Sequence, residues 1–155
     1  MKNLSLLLLS FILLSITTNA QTPNNALEKN KAFTGAVAKQ NQYHAIYQLD
    51  NNDPKVITKA IRNINNALKD PRLTGKLQIE LVAFSGGTEA LLKGSDYEND
   101  LKSLVEKGVI VAQCNNSLHE RNISPDKLYD FIAIVPSGNG ELILREAEGW
   151  AIVKP

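Results

Sequence analysis

The chain has few of the residues that carry chemistry or cross-links: among 155 residues there are one cysteine, two histidines and one tryptophan. A single thiol excludes a disulfide within the chain. Cys114, His44 and His119 lie on different predicted elements and lack the paired short spacings of a zinc site, so we expect no metal site. Lysine and arginine number 17 against 16 acidic residues, with no basic cluster, which argues against nucleic-acid binding.

Three common functional motifs are also missing. No Gly-x-Gly-x-x-Gly opens the first predicted helix, so a dinucleotide is unsupported and we expect no cofactor. Ser85-Gly86-Gly87 lacks the Gly-Lys-Ser/Thr continuation of a P-loop. It is better interpreted as a tight turn, although the amides around Ser85 and Gly86 remain candidates for binding an anion. Ser137 lies in Pro-Ser-Gly-Asn-Gly rather than in Gly-x-Ser-x-Gly, which disfavours a hydrolase.

The N-terminus is typical of an export signal. Lys2 provides the positive charge, Leu4 to Ile16 form a mostly apolar stretch, and Thr18-Asn19-Ala20 resembles a cleavage site. The stretch is shorter than the about 20 apolar residues that a membrane-spanning helix needs. We therefore predict a signal peptide over residues 1–20 and a secreted or periplasmic protein that does not stay in the membrane.

After the signal, residues 21–41 are rich in asparagine, glutamine, lysine and alanine, with little apolar periodicity. This composition predicts a solvated N-terminal arm. The alternative is a short helix around Ala26 to Ala38 that packs on a neighbour.

From residue 42 to residue 155, strand-like and helix-like segments alternate, and this alternation predicts an α/β domain with a five-stranded, mainly parallel sheet covered by helices on both faces. Asp53-Pro54 is a strong helix start. Phe131 to Val135 is wholly apolar, so we expect this strand to be covered on both sides. The predicted strands are Tyr43–Leu49, Leu77–Phe84, Val109–Cys114, Phe131–Val135 and Trp150–Val153.

Binding sites in parallel sheets lie beyond the carboxyl ends of the strands. Phe84-Ser85-Gly86, Gln113-Cys114-Asn115 and Val135-Pro136-Ser137 should all meet at that edge. Cys114 is the main chemical candidate, because a helix N-terminus can lower a thiol pKa from about 8.5 to roughly 3.5–7.5. Ser117-x-x-Glu120 fits a capping box, which would leave free amides just past the cysteine. The alternative is a buried, inert cysteine that ends a core strand.

Polar residues follow this cysteine closely. Asn115 and Asn116 are predicted to form the turn and cap, with hydrogen bonding to a sulfur adduct as the alternative. Ser117 is interpreted first as a helix cap. His119 is either a solvated helix residue or a proton partner of the thiol. Arg121 is interpreted as a surface or intersubunit charge, with an anion clamp as the alternative.

The segment from Gly108 to Ile123 resembles a pattern of the DsrE/DsrF-like family: Gly-Val, a strand, Cys-x-Asn-Ser/Thr-Leu, a basic residue and Ile. Val135 to Gly138 and Gly149 to Pro155 are similar to the Val-Pro-Ser/Ala-Gly and Gly-aromatic-Ala-x-x-Lys-Pro ending of that family. The resemblance covers nearly all of residues 43–155. Ser85 departs from it, because His-Gly or Asn-Gly is common at this turn.

The resemblance implies a flavodoxin-like three-layer domain that forms a homo-oligomer, often a trimer or a hexamer built from two trimers. It also implies that Cys114 is the position that holds a persulfide in sulfur-relay members. Our hypothesis is an exported sulfane-sulfur acceptor or carrier, with a sulfur donor or acceptor protein as its partner. The alternatives are a non-catalytic oligomeric binding or interaction module with a structural cysteine, and a redox sensor that pairs Cys114 across subunits.

Overall fold

The computed structural model describes residues 23–155, so the predicted signal peptide, residues 1–20, lies outside the described residues. Its contacts divide the chain into two units, Met1–Ala36 and Val37–Pro155. The described part of the first unit contains helix α1, Pro23–Lys31, within the segment predicted as a solvated arm. No described helix is both long enough and apolar enough to cross a membrane.

The second unit alternates strands and helices along its length. Its strands are β1 (Tyr43–Leu49), β2 (Leu77–Ala83), β3 (Ile110–Cys114), β4 (Ala133–Val135) and β5 (Ala151–Val153); its helices are α2 (Pro54–Leu68), α3 (Glu98–Glu106), α4 (Asn115–Glu120) and α5 (Gly138–Ala147). Two 3₁₀ helices, Ser85–Leu91 and Pro125–Lys127, complete the connections. The strand and helix alternation predicted from residue 42 is therefore confirmed.

The five strands form one sheet in the order β4-β3-β2-β1-β5, and every pairing is parallel. Alternate residues of β1 and β2 face opposite sides. Tyr47 and Leu81 pack in the larger core with α2 and α3. Ile46 and Val82 pack in a smaller core with Trp150, beneath α5. This three-layer α/β arrangement agrees with the prediction of helices on both faces.

The fourth strand differs from its prediction. Only Ala133–Val135 is a strand, and it pairs with β3 alone at one edge of the sheet. Ala133 and Ile134 are exposed, so the expectation of cover on both faces was wrong for the single chain. The prediction rested on the apolar run alone, and apolar content does not distinguish a strand covered within its own subunit from an edge strand.

The start of α2 was predicted from local signals and is confirmed. The Asp53 carboxylate accepts a hydrogen bond of 2.8 Å from the Lys55 N–H, and Pro54 occupies the first turn. Such caps stabilise a helix by about 1 kcal/mol. The buried residues of α2 recur on one face at the helical period and include Ile57, Ile61 and Ile64.

Helix α5 is attached to the sheet through a buried carboxylate. Glu80 lies in the middle of β2, is 1% exposed, and receives a hydrogen bond of 2.8 Å from Arg145 Nε. Arg145 also pairs with Glu141 and Glu148, and its guanidinium lies 4.2 Å from the centre of the Trp150 ring. The other carboxylate oxygen, Glu80 Oε1, has no hydrogen-bond partner among the described residues. Burial raises the pKa of Glu80, and the nearby Arg145 charge only partly opposes this effect.

We predict that Glu80→Gln becomes more stable relative to the unsubstituted protein as pH rises above about 4, the ordinary pKa range of a glutamate. A carboxyl whose pKa is raised by folding stabilises the fold below its unfolded pKa, and this stabilisation is lost as pH rises through the folded pKa. Glutamine does not titrate, so the stability of the Glu80→Gln variant does not fall through this ionisation as pH rises. Urea unfolding midpoints at several pH values measure the difference, and Glu106→Gln at the exposed end of α3 is the control. A difference that does not change with pH would contradict the prediction.

Candidate functional site

The three segments expected at one sheet edge do meet there. Cys114 is the last residue of β3, which lies between β2 and β4 in the sheet. The pairings Ala83 with Gln113 and Cys114 with Val135 bring the ends of all three strands together. The cysteine therefore lies at the carboxyl end of the sheet, with a neighbouring strand on each side.

The sulfur of Cys114 accepts a hydrogen bond from the backbone of α4. The Ser117 N–H donates to Sγ at 3.4 Å, and the backbone of Gly138, the Ser117 side chain and the backbone of Asn116 are nearby polar groups that also favour the thiolate. Burial by itself raises the pKa of the Cys114 thiol, but these groups stabilise the thiolate and together outweigh burial. The pKa of Cys114 is consequently lower than that of an ordinary cysteine.

The capping box expected at Ser117 and Glu120 was wrong. Helix α4 begins at Asn115, and Cys114 itself is the N-cap, with its sulfur as the acceptor. Ser117 lies inside the first turn, where its hydroxyl accepts a hydrogen bond of 2.9 Å from the Ser85 N–H. An amide expected just past the cysteine, the Ser117 N–H, does point at the sulfur, because any helix start leaves such N–H groups unpaired.

Cys114 is also well buried, with 4% of its surface exposed. This depth agrees with the alternative of a packed, structural cysteine. The surrounding polar groups agree with the hypothesis of an activated thiol. The structure therefore combines a sulfur shielded from bulk water with polar groups around it that favour the thiolate.

Arg121 is engaged within the chain. Its Nη1 donates to the Ser85 carbonyl at 2.8 Å, and its Nη2 pairs with the Glu89 carboxylate. Ser85 has a φ of 48°, in the left-handed region that non-glycine residues seldom occupy. Neither role considered for Arg121 from the sequence includes this attachment of α4 to the turn after β2.

The remaining candidates are placed less centrally. Asn115 is half-buried and Asn116 is exposed, and the backbone of Asn116, not its side-chain amide, contributes to the lowered pKa of the Cys114 thiol. His119 is exposed on α4 and is not among the hydrogen-bond donors to Cys114 described above. Within residues 23–155, no group of three or more His, Cys, Asp or Glu side chains could hold a metal ion.

The turn after β2 is shaped by close packing. Ser85-Gly86-Gly87 opens a 3₁₀ helix, in agreement with its interpretation as a turn. A Cβ on Gly87 would lie 2.0 Å from the Leu49 carbonyl oxygen, and a Cβ on Gly86 would lie 3.0 Å from the Asn52 nitrogen. These glycines permit contact with the end of β1, and anion binding by their amides stays a prediction.

Gly138 is the site residue that sequence reasoning missed. It is the first residue of α5, and its backbone helps to lower the pKa of the Cys114 thiol. A Cβ on Gly138 would lie 2.7 Å from Phe84 Cδ1, so glycine allows this close approach. The available signal was Val135-Pro136-Ser137, which was already expected to emerge at the same edge.

The sequence model of the DsrE/DsrF-like family matches residues 44–155. The chain belongs to the DsrE/DsrF-like family. Among solved structures, the protein of unknown function MTH1491 from Methanobacterium thermoautotrophicum is similar, with 31% identity and a TM-score of 0.70 over 74% of this chain and 100% of that one. The ychN protein from E. coli shares the fold, with 19% identity and a TM-score of 0.60 over 74% of this chain and 99% of that one.

No curated protein matches the sequence. The family match confirms the resemblance drawn from Gly108 to Ile123, and the two structures agree with the α/β fold of this DsrE-like chain. Members of the family are generally sulfur-relay proteins.

We predict that the thiol of Cys114 titrates below the about 8.5 of a free cysteine. The polar groups of Gly138, Ser117 and Asn116 favour the thiolate more than burial disfavours it. The pH dependence of alkylation is measured on the native protein and on the same protein in denaturant. The two curves give the titration midpoints of the thiol in the folded and unfolded states, and Cys114 is the single thiol that can react. A native midpoint equal to or above the unfolded one would reject an activated thiol.

We predict that Gly138→Ala raises the thiol pKa toward its unfolded value. The added methyl group meets Phe84, so the start of α5 must move, and the backbone of residue 138 then favours the thiolate less. Gly140→Ala is the matched control, because it lies in the same helical turn and its nearest neighbour would be Ser137 Cβ at 3.3 Å. Equal alkylation midpoints for the two variants would contradict the role of the Gly138 backbone.

Proposed function

We propose that this DsrE-like protein accepts a sulfane sulfur on Cys114, holds it as a persulfide and passes it to an acceptor. The observation that carries this proposal is a buried sulfur at the sheet edge that accepts a hydrogen bond of 3.4 Å from the Ser117 N–H and whose thiol pKa is lowered by the polar groups around it. Donors fixed in advance around a developing negative charge are worth more in a site shielded from water than in solution.

The transfer is balanced without an external oxidant or reductant. Cys114 first releases its proton to solvent, and the thiolate then attacks the sulfane sulfur of a polysulfide or of thiosulfate. The Sγ–S bond forms from the thiolate electron pair while the S–S bond of the donor breaks. A shortened polysulfide or sulfite leaves with that electron pair. Attack by an acceptor thiolate on the outer sulfur of the persulfide then regenerates Cys114.

The neighbouring groups support this chemistry in different ways. The backbone groups of Asn116 and Gly138 stabilise negative charge at the sulfur. Burial of Cys114 limits the access of oxidants that would convert a thiolate or persulfide into sulfinic or sulfonic acid. The side-chain amides of Asn115 and Asn116 are candidates to contact the added sulfur.

We further propose that the protein is exported and acts as a homo-oligomer, a trimer or a hexamer. The basic and apolar pattern of residues 1–20 supports export. Exposed apolar side chains at both sheet edges and on α5 support association: Ile134, Ile143, Leu144 and Ile152. A sulfur donor or acceptor protein completes the proposal, since the described chain holds a single cysteine.

A non-catalytic interaction module is the second candidate. It is favoured by the two structural features of Cys114, which is 4% exposed and caps α4. In that case the sulfur replaces the usual capping oxygen, and the surface of the oligomer binds the partner. This candidate requires that Cys114→Ala leaves partner binding unchanged.

We predict that incubation with polysulfide or thiosulfate adds the mass of one sulfur atom to the intact protein. A reductant should remove the addition, and Cys114→Ser should not acquire it, because the oxygen does not form a persulfide. Intact-protein mass spectrometry measures all three results. If the unsubstituted protein gains no sulfur from either donor while remaining folded, the carrier function is rejected and the interaction module is favoured.

A further inference from the structure

The outer face of α2 carries a stripe of positive charge. Lys55, Lys59, Arg62 and Lys69 are all exposed, and the last of them caps the C-terminal end of the helix. Their spacing along the chain follows the helical period, so they lie on one side of α2, opposite its buried isoleucines. No acidic residue lies within α2. The sequence shows no basic run here because the helix, rather than the chain, brings these cations together.

The four cations of this stripe have no carboxylate partner. Their side chains form no ion pair or hydrogen bond within residues 23–155. By contrast, Arg72, Arg121 and Arg145 each pair with a carboxylate. One unpaired surface cation needs no explanation, but four on the same helix face create a local positive potential.

The stripe lies along a groove. A depression of about 510 Å³ at the start of α2 shares Thr58 and Arg62 with a second one of about 340 Å³. The second shares Asn65 and Lys69 with a third of about 400 Å³, which also includes Lys107. Because successive depressions share lining residues, they form one groove along the helix, about 20 Å long, which we call the α2 groove.

The charges that face the α2 groove from the neighbouring helix change its sign little. Lys107, just past the end of α3, donates from Nζ to Asn65 Oδ1 at 2.7 Å and adds a fifth cation. Asp100 of α3 is the one carboxylate among the lining residues of these three depressions. The groove is therefore strongly basic on a chain that has 17 basic and 16 acidic residues in total.

We propose that the α2 groove binds an acidic, extended segment of a partner protein. Carboxylates on alternate residues of an extended chain lie about 7 Å apart, so about six residues span the groove and bring several carboxylates to its cations. An anionic membrane would meet a flat or convex surface rather than a narrow groove. The near-neutral net charge gives little long-range attraction to nucleic acid.

The groove also leads to the site described above. β1 ends at Leu49 and α2 begins at Pro54, so the Pro54 end of the groove lies at the carboxyl edge of the sheet. Cys114 ends β3 at the same edge, two strands away from β1, a distance of about 10 Å. A chain that continues past Pro54 therefore approaches Cys114. Identification of the partner as the sulfur donor or acceptor rests on the function proposed above.

The test measures binding of a fluorescein-labelled hexaglutamate peptide by fluorescence anisotropy at physiological ionic strength, with hexaglutamine as the uncharged comparison. We expect saturable binding of hexaglutamate alone. Lys59→Glu combined with Arg62→Glu should weaken it about tenfold or more, because like charges then meet in the groove. The matched control is Lys29→Glu combined with Lys31→Glu on exposed α1, which changes the net charge equally and should alter binding by less than about twofold.

The substituted side chains in the groove are exposed and unpaired, so the urea unfolding midpoint should stay unchanged. If the charge reversal does unfold the protein, Lys59→Gln combined with Arg62→Gln takes its place and should also weaken binding. The inference is overturned by absence of saturable hexaglutamate binding, or by equal weakening in the groove and α1 variants. Tighter binding of a thymidine oligonucleotide or of phosphatidylglycerol vesicles also overturns it and assigns the groove to that class of partner.

The inference and the proposed function fail in different ways, because peptide binding is measured equally well on Cys114→Ser. A protein that binds hexaglutamate in the groove but never gains sulfur supports the docking surface and contradicts the carrier function. A protein that gains sulfur but does not bind the peptide supports the carrier function and overturns the docking surface.

Discussion

Stabilisation of the Cys114 thiolate by the polar groups around its sulfur, with the Ser117 N–H at 3.4 Å from Sγ, is the interaction on which the site depends. Burial alone would favour the neutral thiol, and these groups reverse that preference. They come from two helices, with Asn116 and Ser117 on α4 and Gly138 at the start of α5. The site is therefore complete only when both helices are docked against the end of β3.

The docking of α5 rests in turn on the buried pair of Glu80 and Arg145. A buried carboxylate costs several kcal/mol unless it is paired, so the sheet favours a position of α5 that keeps Arg145 over Glu80. Gly138 and Arg145 lie on the same short helix, about 10 Å apart along its axis. An anchor near the C-terminal end of α5 thus determines where the N–H of its first residue lies relative to the sulfur.

Helices and strands that depend on local sequence patterns were predicted well, whereas contacts between distant segments were not predicted. The bounds of β1 and the Asp53 cap of α2 follow from patterns that a short window of sequence contains. The start of α4 was placed too late because a thiol is not a usual helix cap, although Cys114 has that role here. Gly138 was missed because its approach to Cys114 depends on the pairing of β3 with β4 and on its contact with Phe84.

By itself, the sequence determined the order of strands and helices, the parallel α/β class, and the position of Cys114 at a strand-to-helix junction. These properties follow from periodicity, caps and breakers that act over a few residues. Only the tertiary structure decided that the sulfur is buried, that β4 is an exposed edge, and that the chain links Arg121 to Cys114 through Ser85 and Ser117. Those features arise between segments far apart in the chain, where strand register and close packing, rather than local preference, determine which atoms meet.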